Sequence, residues 1–212
     1  MPVMSRSERA FCCSAVWRSS SAAIARELRA QQLGRDVLEI GAGSGAVAER
    51  LLSTNPELAI TAMDIDPHMT AAAAGRLMRY PNASARTADA TAMPFADNSF
   101  DSVISCLMLH HIVDWEHAVA EVARVLRHGG VFVGYDLVRT PLASLFHRLD
   151  GSPHRLIAPG EFQDQCARNG LTISLSSRLL GHVMRFVAHK NADDTRDTIG
   201  SVSQPAARNQ TS

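Results

Sequence analysis

Residues 37–45 read Val-Leu-Glu-Ile-Gly-Ala-Gly-Ser-Gly, an apolar strand pattern that runs straight into three alternating glycines. Ala46 to Leu52, which follow, favour helix. A strand that stops at glycine and restarts as a helix leaves backbone N–H groups at the helix N-terminus, with no Cβ atoms to block a ligand. The unit therefore predicts an α/β sheet with a seat for a nucleotide-like cofactor. Gly41, Gly43 and Gly45 do not by themselves say which cofactor. They fit Gly-x-Gly-x-Gly, and with Ala46 they also satisfy the dinucleotide pattern Gly-x-Gly-x-x-Gly/Ala.

The chain has 212 residues, enough for one well-packed domain with a small appendage. Lys plus Arg equals Asp plus Glu at 21 each, so no long-range field draws it to nucleic acid or to an anionic membrane. Cys12, Cys13, Cys106 and Cys166 include no Cys-x-x-Cys pair, which argues against a zinc site or a disulfide framework and for reduced thiols in a cytoplasm. The apolar run from Ala10 to Trp17 is too short to span a bilayer. The histidines are scattered, and no His/Asp/Glu set has metal-ligand spacing; His147, Asp150 and His154 read as a solvated loop.

Residues 5–32 lack strand patterning, and Ala22, Ile24, Ala25, Leu28 and Ala30 predict a helix ending near Gly34. Strands are expected at 36–40, 58–63, 83–88, 100–105 and 131–135, with helices at 44–53, 67–79 and 114–127 between them. Asp66 is positioned to cap the second of these helices, with Pro67 in its first turn. Residues 91–99 read as a turn-rich loop where a helix would be usual. After a polar stretch at 139–158, a helix from Pro159 to Arg168 precedes two strands, 171–176 and 182–188. Their short connection makes them an antiparallel hairpin. The expected fold class is α/β, a doubly wound, seven-stranded, mostly parallel sheet with one antiparallel strand. Residues 1–34 read as an N-terminal helical lid, 35–190 as the domain and 191–212 as a disordered, polar tail.

Asp64 closes the second strand, 23 positions after Gly41, where a carboxylate can accept from both ribose hydroxyls. Asp89 lies just past the third strand, placed to accept from an adenine amino group. Met93-Pro94-Phe95, Asn98 to Ile104 and Leu126 to Phe132 complete an ordered set of four motifs. With these residues, the stretch 36–136 resembles the class I S-adenosylmethionine-dependent methyltransferases, in the small-molecule branch that includes the ubiquinone and menaquinone C-methyltransferases.

The resemblance implies a Rossmann-like methyltransferase fold and S-adenosyl-L-methionine as cofactor. It implies that Glu39, Gly41, Gly43 and Gly45 line the methionine end, and that Asp64 holds the ribose. Ile65 and Met69 would flank the adenine, Asp89 and the Ala90 backbone would read its edge, and Cys106 would sit near the sulfonium. The acceptor would be an oxygen, carbon or nitrogen of a small metabolite. Methyl transfer needs alignment, desolvation and, for some acceptors, a base. His110 and His111, after the fourth strand, are the candidates for that base, or else they only shape the loop. Asp136 and Arg139 either touch the acceptor or pair with each other, and Trp17 and Arg18 either form part of the lid or pack its helix on the sheet. Ser105-Cys106-Leu107-Met108 lacks the Asn/Asp-Pro-Pro-aromatic motif of DNA and protein amino methyltransferases. Two other readings stay open: an NAD-dependent oxidoreductase, and a non-catalytic S-adenosylmethionine-binding protein.

Overall fold

The computed structural model describes residues 9–10, 13–141 and 154–192. Its elements run α1 (Ala15–Arg29), β1 (Asp36–Ile40), α2 (Ala46–Thr54), β2 (Ala59–Asp64), α3 (Pro67–Leu77), β3 (Ala83–Thr87) and β4 (Phe100–Cys106). A single 3₁₀ turn at Leu109–His111 leads to α4 (Trp115–Val125) and β5 (Leu126–Leu137). The chain then returns through α5 (Pro159–Arg168), β6 (Leu171–Arg178) and β7 (Val183–Lys190).

The seven strands are ordered β3-β2-β1-β4-β5-β7-β6. The pairings of β1, β2, β3, β4 and β5 are all parallel, while β7 is antiparallel to both β5 and β6. This is the expected mostly parallel sheet with one reversed strand. The order turns back between β1 and β4, so ligands belong beyond the carboxyl ends of those two strands.

Alternation along β1 divides the core between the two faces of the sheet. Leu38 and Ile40 pack with Trp115, Val119, Phe132, Phe162 and Phe186 under α4 and α5. Val37 packs on the other face with Leu28 of α1, Val47, Leu51 and Leu52 of α2, and Ala73 and Leu77 of α3. Two helices are capped by side chains, α3 by the Asp66 that its sequence predicts. Ser14 accepts the Trp17 N–H, and Asp66 accepts the His68 N–H, with Pro67 in the first turn of α3.

Several boundaries differ from expectation. The first helix stops at Arg29, five residues short of Gly34. Helix α4 ends at Val125, and β5 begins at once, because Leu126 pairs with Phe100. The register then shifts, with β5 using the extra residues 127–130 before Val131 pairs with Ser102. Between β3 and β4 the chain has no helix. Arg124 holds that loop instead, donating to the Met93 and Phe95 carbonyls and to Asp97 and Glu121.

Residues 142–153, with His147 and Asp150, and the tail beyond Ala192 lie outside the described residues. No helix among the described residues is long and apolar enough to cross a membrane.

Candidate functional site

The glycine loop connects β1 to α2 through three left-handed residues, with φ of +63° at Gly41, +54° at Gly43 and +73° at Gly45. Side chains are disfavoured there by conformation, and at Gly41 also by space. A Cβ on Gly41 would come within 1.9 Å of Met108 Cγ. Met108 therefore seats on the loop, a close approach that sequence spacing does not reveal.

Two carboxylates from adjacent strands converge behind this turn. Asp64 Oδ2 accepts the Gly43 N–H at 2.8 Å and its Oδ1 accepts the Asp66 N–H at 2.9 Å. Both carboxylate oxygens keep further acceptor capacity. Glu39, 3% exposed, accepts the Ala48 N–H from the first turn of α2 at 3.1 Å. Burial pushes the Glu39 carboxyl up to about 8, and the charge of Asp64 adds to the shift. Burial also raises Asp64, against the hydrogen bonds from Asp66 and Gly43 that favour its ionised form. A cation placed between the two would relieve the cost of both charges. The ammonium of a methionine moiety is such a group.

The remaining cofactor candidates follow β2 and β3 or close β4. The Ala88 N–H bonds the Asp64 carbonyl at 3.0 Å and brings the end of β3 alongside. Asp89, two residues past β3, accepts from the Thr91 N–H and hydroxyl, both at 2.8 Å. Burial alone would raise the Asp89 carboxyl, but the Thr91 bonds hold it below the usual range. Ala90 is buried in the core on the α4 side. Met69 is 5% exposed yet packs in neither core cluster, and Ile65 is half-buried. Cys106 is buried at the end of β4, where burial and then the charges of Glu39 and Asp136 push its thiol well up.

After β4, His110 and Asp136 form a buried pair. His110 Nδ1 lies 2.5 Å from Asp136 Oδ1, and the other carboxylate oxygen accepts the Leu109 N–H at 2.7 Å. A carboxylate only accepts, so the contact places the proton on Nδ1 and makes Nε2 the basic nitrogen of the ring. The His111 ring lies against that of His110, 4.1 Å between centroids.

Asp136 and Arg139, read as either touching the acceptor or pairing with each other, take separate partners. Asp136 is fully buried on β5 and faces His110, whereas Arg139 reaches out to Glu161 at 2.8 Å. Trp17 is buried in the core on the α1 side, and Arg18 is exposed and donates to the Cys13 carbonyl.

The architecture is the class I methyltransferase fold, a seven-stranded sheet whose glycine loop opens at the reversal of strand order. Residues 38–134 match the family described as the methyltransferase domain.

Among curated relatives, the demethylmenaquinone methyltransferase of Tropheryma whipplei is 34% identical over 100 residues, 47% of this chain and 41% of the relative. The malonyl-[acyl-carrier protein] O-methyltransferase of Geobacter sulfurreducens is 36% identical over 96 residues, 45% of this chain and 36% of the relative. The chain thus spans less than half the length of these relatives. Among solved structures, the CurJ carbon methyltransferase superposes with a TM-score of 0.70 at 19% identity, covering 87% of this chain and 58% of that one. The resemblance drawn from the four ordered motifs is borne out.

Proposed function

We propose that this protein transfers a methyl group from S-adenosyl-L-methionine to an oxygen, carbon or nitrogen of a small metabolite. The observation that carries the reading is the pairing of Glu39 and Asp64 behind a left-handed glycine turn, with Asp64 bonded to Gly43. The residues fit the group. The backbone at Gly41, Gly43 and Gly45 would admit the methionine end closely, Glu39 would take its ammonium, Asp64 the ribose hydroxyls, and Ile65, Met69, Asp89 and Ala90 the adenine. When bound, this cofactor supplies an activated methyl group on a cationic sulfur. Cys106 lies at the same end as a neutral thiol.

The protein's own part is alignment, exclusion of water and control of one proton. His110, held by Asp136, removes that proton from the acceptor at Nε2, and His111 supports the ring of His110. Residues 1–34 act as the lid, 35–190 as the transferase domain and 191–212 as a tail. Zero net charge supports a small-molecule acceptor over a nucleic acid, and the cysteine usage supports a cytoplasmic setting.

The names of the relatives include both quinone C-methyltransferases and a carrier-protein O-methyltransferase, which supports carbon or oxygen as the acceptor atom. Calorimetric titration with S-adenosylmethionine, S-adenosylhomocysteine and NAD tests the cofactor. Binding of the first two and not NAD is expected, and binding of NAD alone overturns the reading. Release of S-adenosylhomocysteine during incubation with a metabolite extract then separates an enzyme from a binding protein.

A further inference from the structure

Where the strand order reverses, the turns that follow β1 and β4 lean on each other through one side chain. Ile40 pairs with Ser105 at the last register position of these strands, so Gly41 and Cys106 continue from neighbouring points. The sequence pattern reads Gly41 as room for a ligand. The space its side chain would take is instead filled from within the protein. A Cβ on Gly41 would stand 1.9 Å from Met108 Cγ, 2.8 Å from its Cβ and 3.0 Å from its Cε. The Met108 side chain therefore passes Gly41 along its whole length.

The backbone on either side of Met108 is held in place. Leu107 has a φ of +56°, a left-handed conformation that a branched side chain rarely adopts. Its N–H donates to the Tyr135 carbonyl of β5 at 2.7 Å, which fixes the turn. Met108 follows, 7% exposed, in the core on the α4 side. Its carbonyl accepts the His111 N–H at 2.9 Å, and the next N–H, of Leu109, donates to Asp136 at 2.7 Å. One residue thus touches the glycine turn with its side chain and starts the histidine turn with its backbone. A methionine suits that place, because an unbranched chain can lie flat past a Cα that a β-branched one would strike.

We propose that Met108 is a positioning residue for the amino-acid end of the donor. It braces Gly41 from the β4 side and so fixes the backbone of the glycine turn against that end of the ligand. The inference rests on the methyl-donor reading of the turn.

The test uses two ligands that share adenosine and sulfur. S-adenosylhomocysteine carries the amino-acid end, and methylthioadenosine lacks it. Calorimetry gives the affinity of the full chain for each, as wild type, Met108→Leu, Met108→Ala, Gly41→Ala and Gly41→Ala/Met108→Ala. Met108→Ala should weaken S-adenosylhomocysteine about five- to twentyfold and methylthioadenosine less than about twofold, the scale of a small misplacement at one end of a ligand. Leucine nearly conserves the core volume, so Met108→Leu should fold even if the alanine variant does not. It has no atom at the Cε position and should show the same selective loss, about two- to fivefold. In the double variant the alanine methyl enters space that the methionine vacated. Its loss should fall short of the product of the single losses by about threefold or more.

Equal losses for the two ligands in the Met108 variants would mark a purely structural role and overturn the proposal. Unchanged affinity in those variants overturns it as well, and so do strictly multiplicative losses in the double variant. Asp64→Ala separates the brace from the reading beneath it, since the ribose is common to both ligands. If wild type binds neither ligand, or Asp64→Ala binds both as wild type does, the donor reading falls and the brace with it. If Asp64→Ala weakens both ligands while the Met108 variants show no selectivity, the brace alone is wrong.

Discussion

Asp64 accepts the N–H of Gly43 at 2.8 Å, so the acid that closes β2 is fastened to the middle of the turn that follows β1. The carboxylate both shapes the seat and faces what sits in it. Asp64→Ala removes both roles. Affinity for S-adenosylhomocysteine should fall about 10- to 100-fold by calorimetry, as for the loss of charge-assisted hydrogen bonds. Asp64→Asn keeps an acceptor and should lose less. Equal affinity in wild type and Asp64→Ala would show that the ribose lies elsewhere.

Glu39 predicts a pH dependence with a definite sign. The unfolded chain ionises this group near 4.5, while the folded chain holds its proton to about 8. The folded state thus binds the extra proton, and the contribution to stability is complete below 4.5 and fades as pH climbs toward 8, by roughly 1.4 kcal/mol per pH unit. The raised carboxyl of Asp64 acts in the same sense. Denaturant unfolding across this window should show the ligand-free protein losing stability, and Glu39→Gln should flatten the slope. Cofactor binding near neutral pH should release close to one proton, measured by calorimetry in buffers of different ionisation enthalpy, and Glu39→Gln should release none.

His110 and Asp136 can be separated from cofactor binding. Asp136→Asn presents an amide N–H to Nδ1 and so favours the opposite tautomer, with the ring proton on Nε2. Once an acceptor is found, kcat should fall about 10²- to 10⁴-fold in His110→Gln and Asp136→Asn, the usual share of a general base. The affinity for S-adenosylhomocysteine should stay near wild type. Should His111→Asn lose the activity and His110→Gln keep it, the two histidines exchange roles.

Two glycines should respond in opposite directions to alanine. A Cβ on Gly134 would lie 1.8 Å from the Ser105 carbonyl oxygen and 2.8 Å from the Phe186 ring, so β4 and β5 must part. Gly134→Ala should cost about 1–3 kcal/mol. Gly75, exposed on α3 with nothing within 4 Å of a new Cβ, should gain about 0.5–1 kcal/mol as alanine. At about 2–4 °C per kcal/mol, thermal melts resolve both.

What was legible in the sequence was local. The turn at Gly41–Gly45, the Asp66-Pro67 start of α3 and the Pro159 start of α5 each announce themselves through backbone chemistry confined to a few residues. The antiparallel hairpin followed from the short link at Ser177 to Gly181, but which strand of the hairpin pairs with β5 did not. That choice depends on Val183 to Lys190 packing Phe186 under Gly134, a contact across some fifty positions. The site divided in the same way. Residue types and spacing marked Glu39, Asp64 and His110, whereas Asp136, the partner of His110, was read only as an acceptor contact or a companion of Arg139. Only the sheet register brings Asp136 beneath Leu109 and His110.

The placement of β7 between β5 and β6 has a consequence for the order of assembly. Until Val183 to Lys190 emerge from the ribosome, β6 has no strand to pair with and the β5 edge stays open. Phe132 and Phe162 likewise lack their neighbour Phe186 until then. The nascent chain can form the cofactor turn early, but it cannot seal its core until β7 is threaded into the gap.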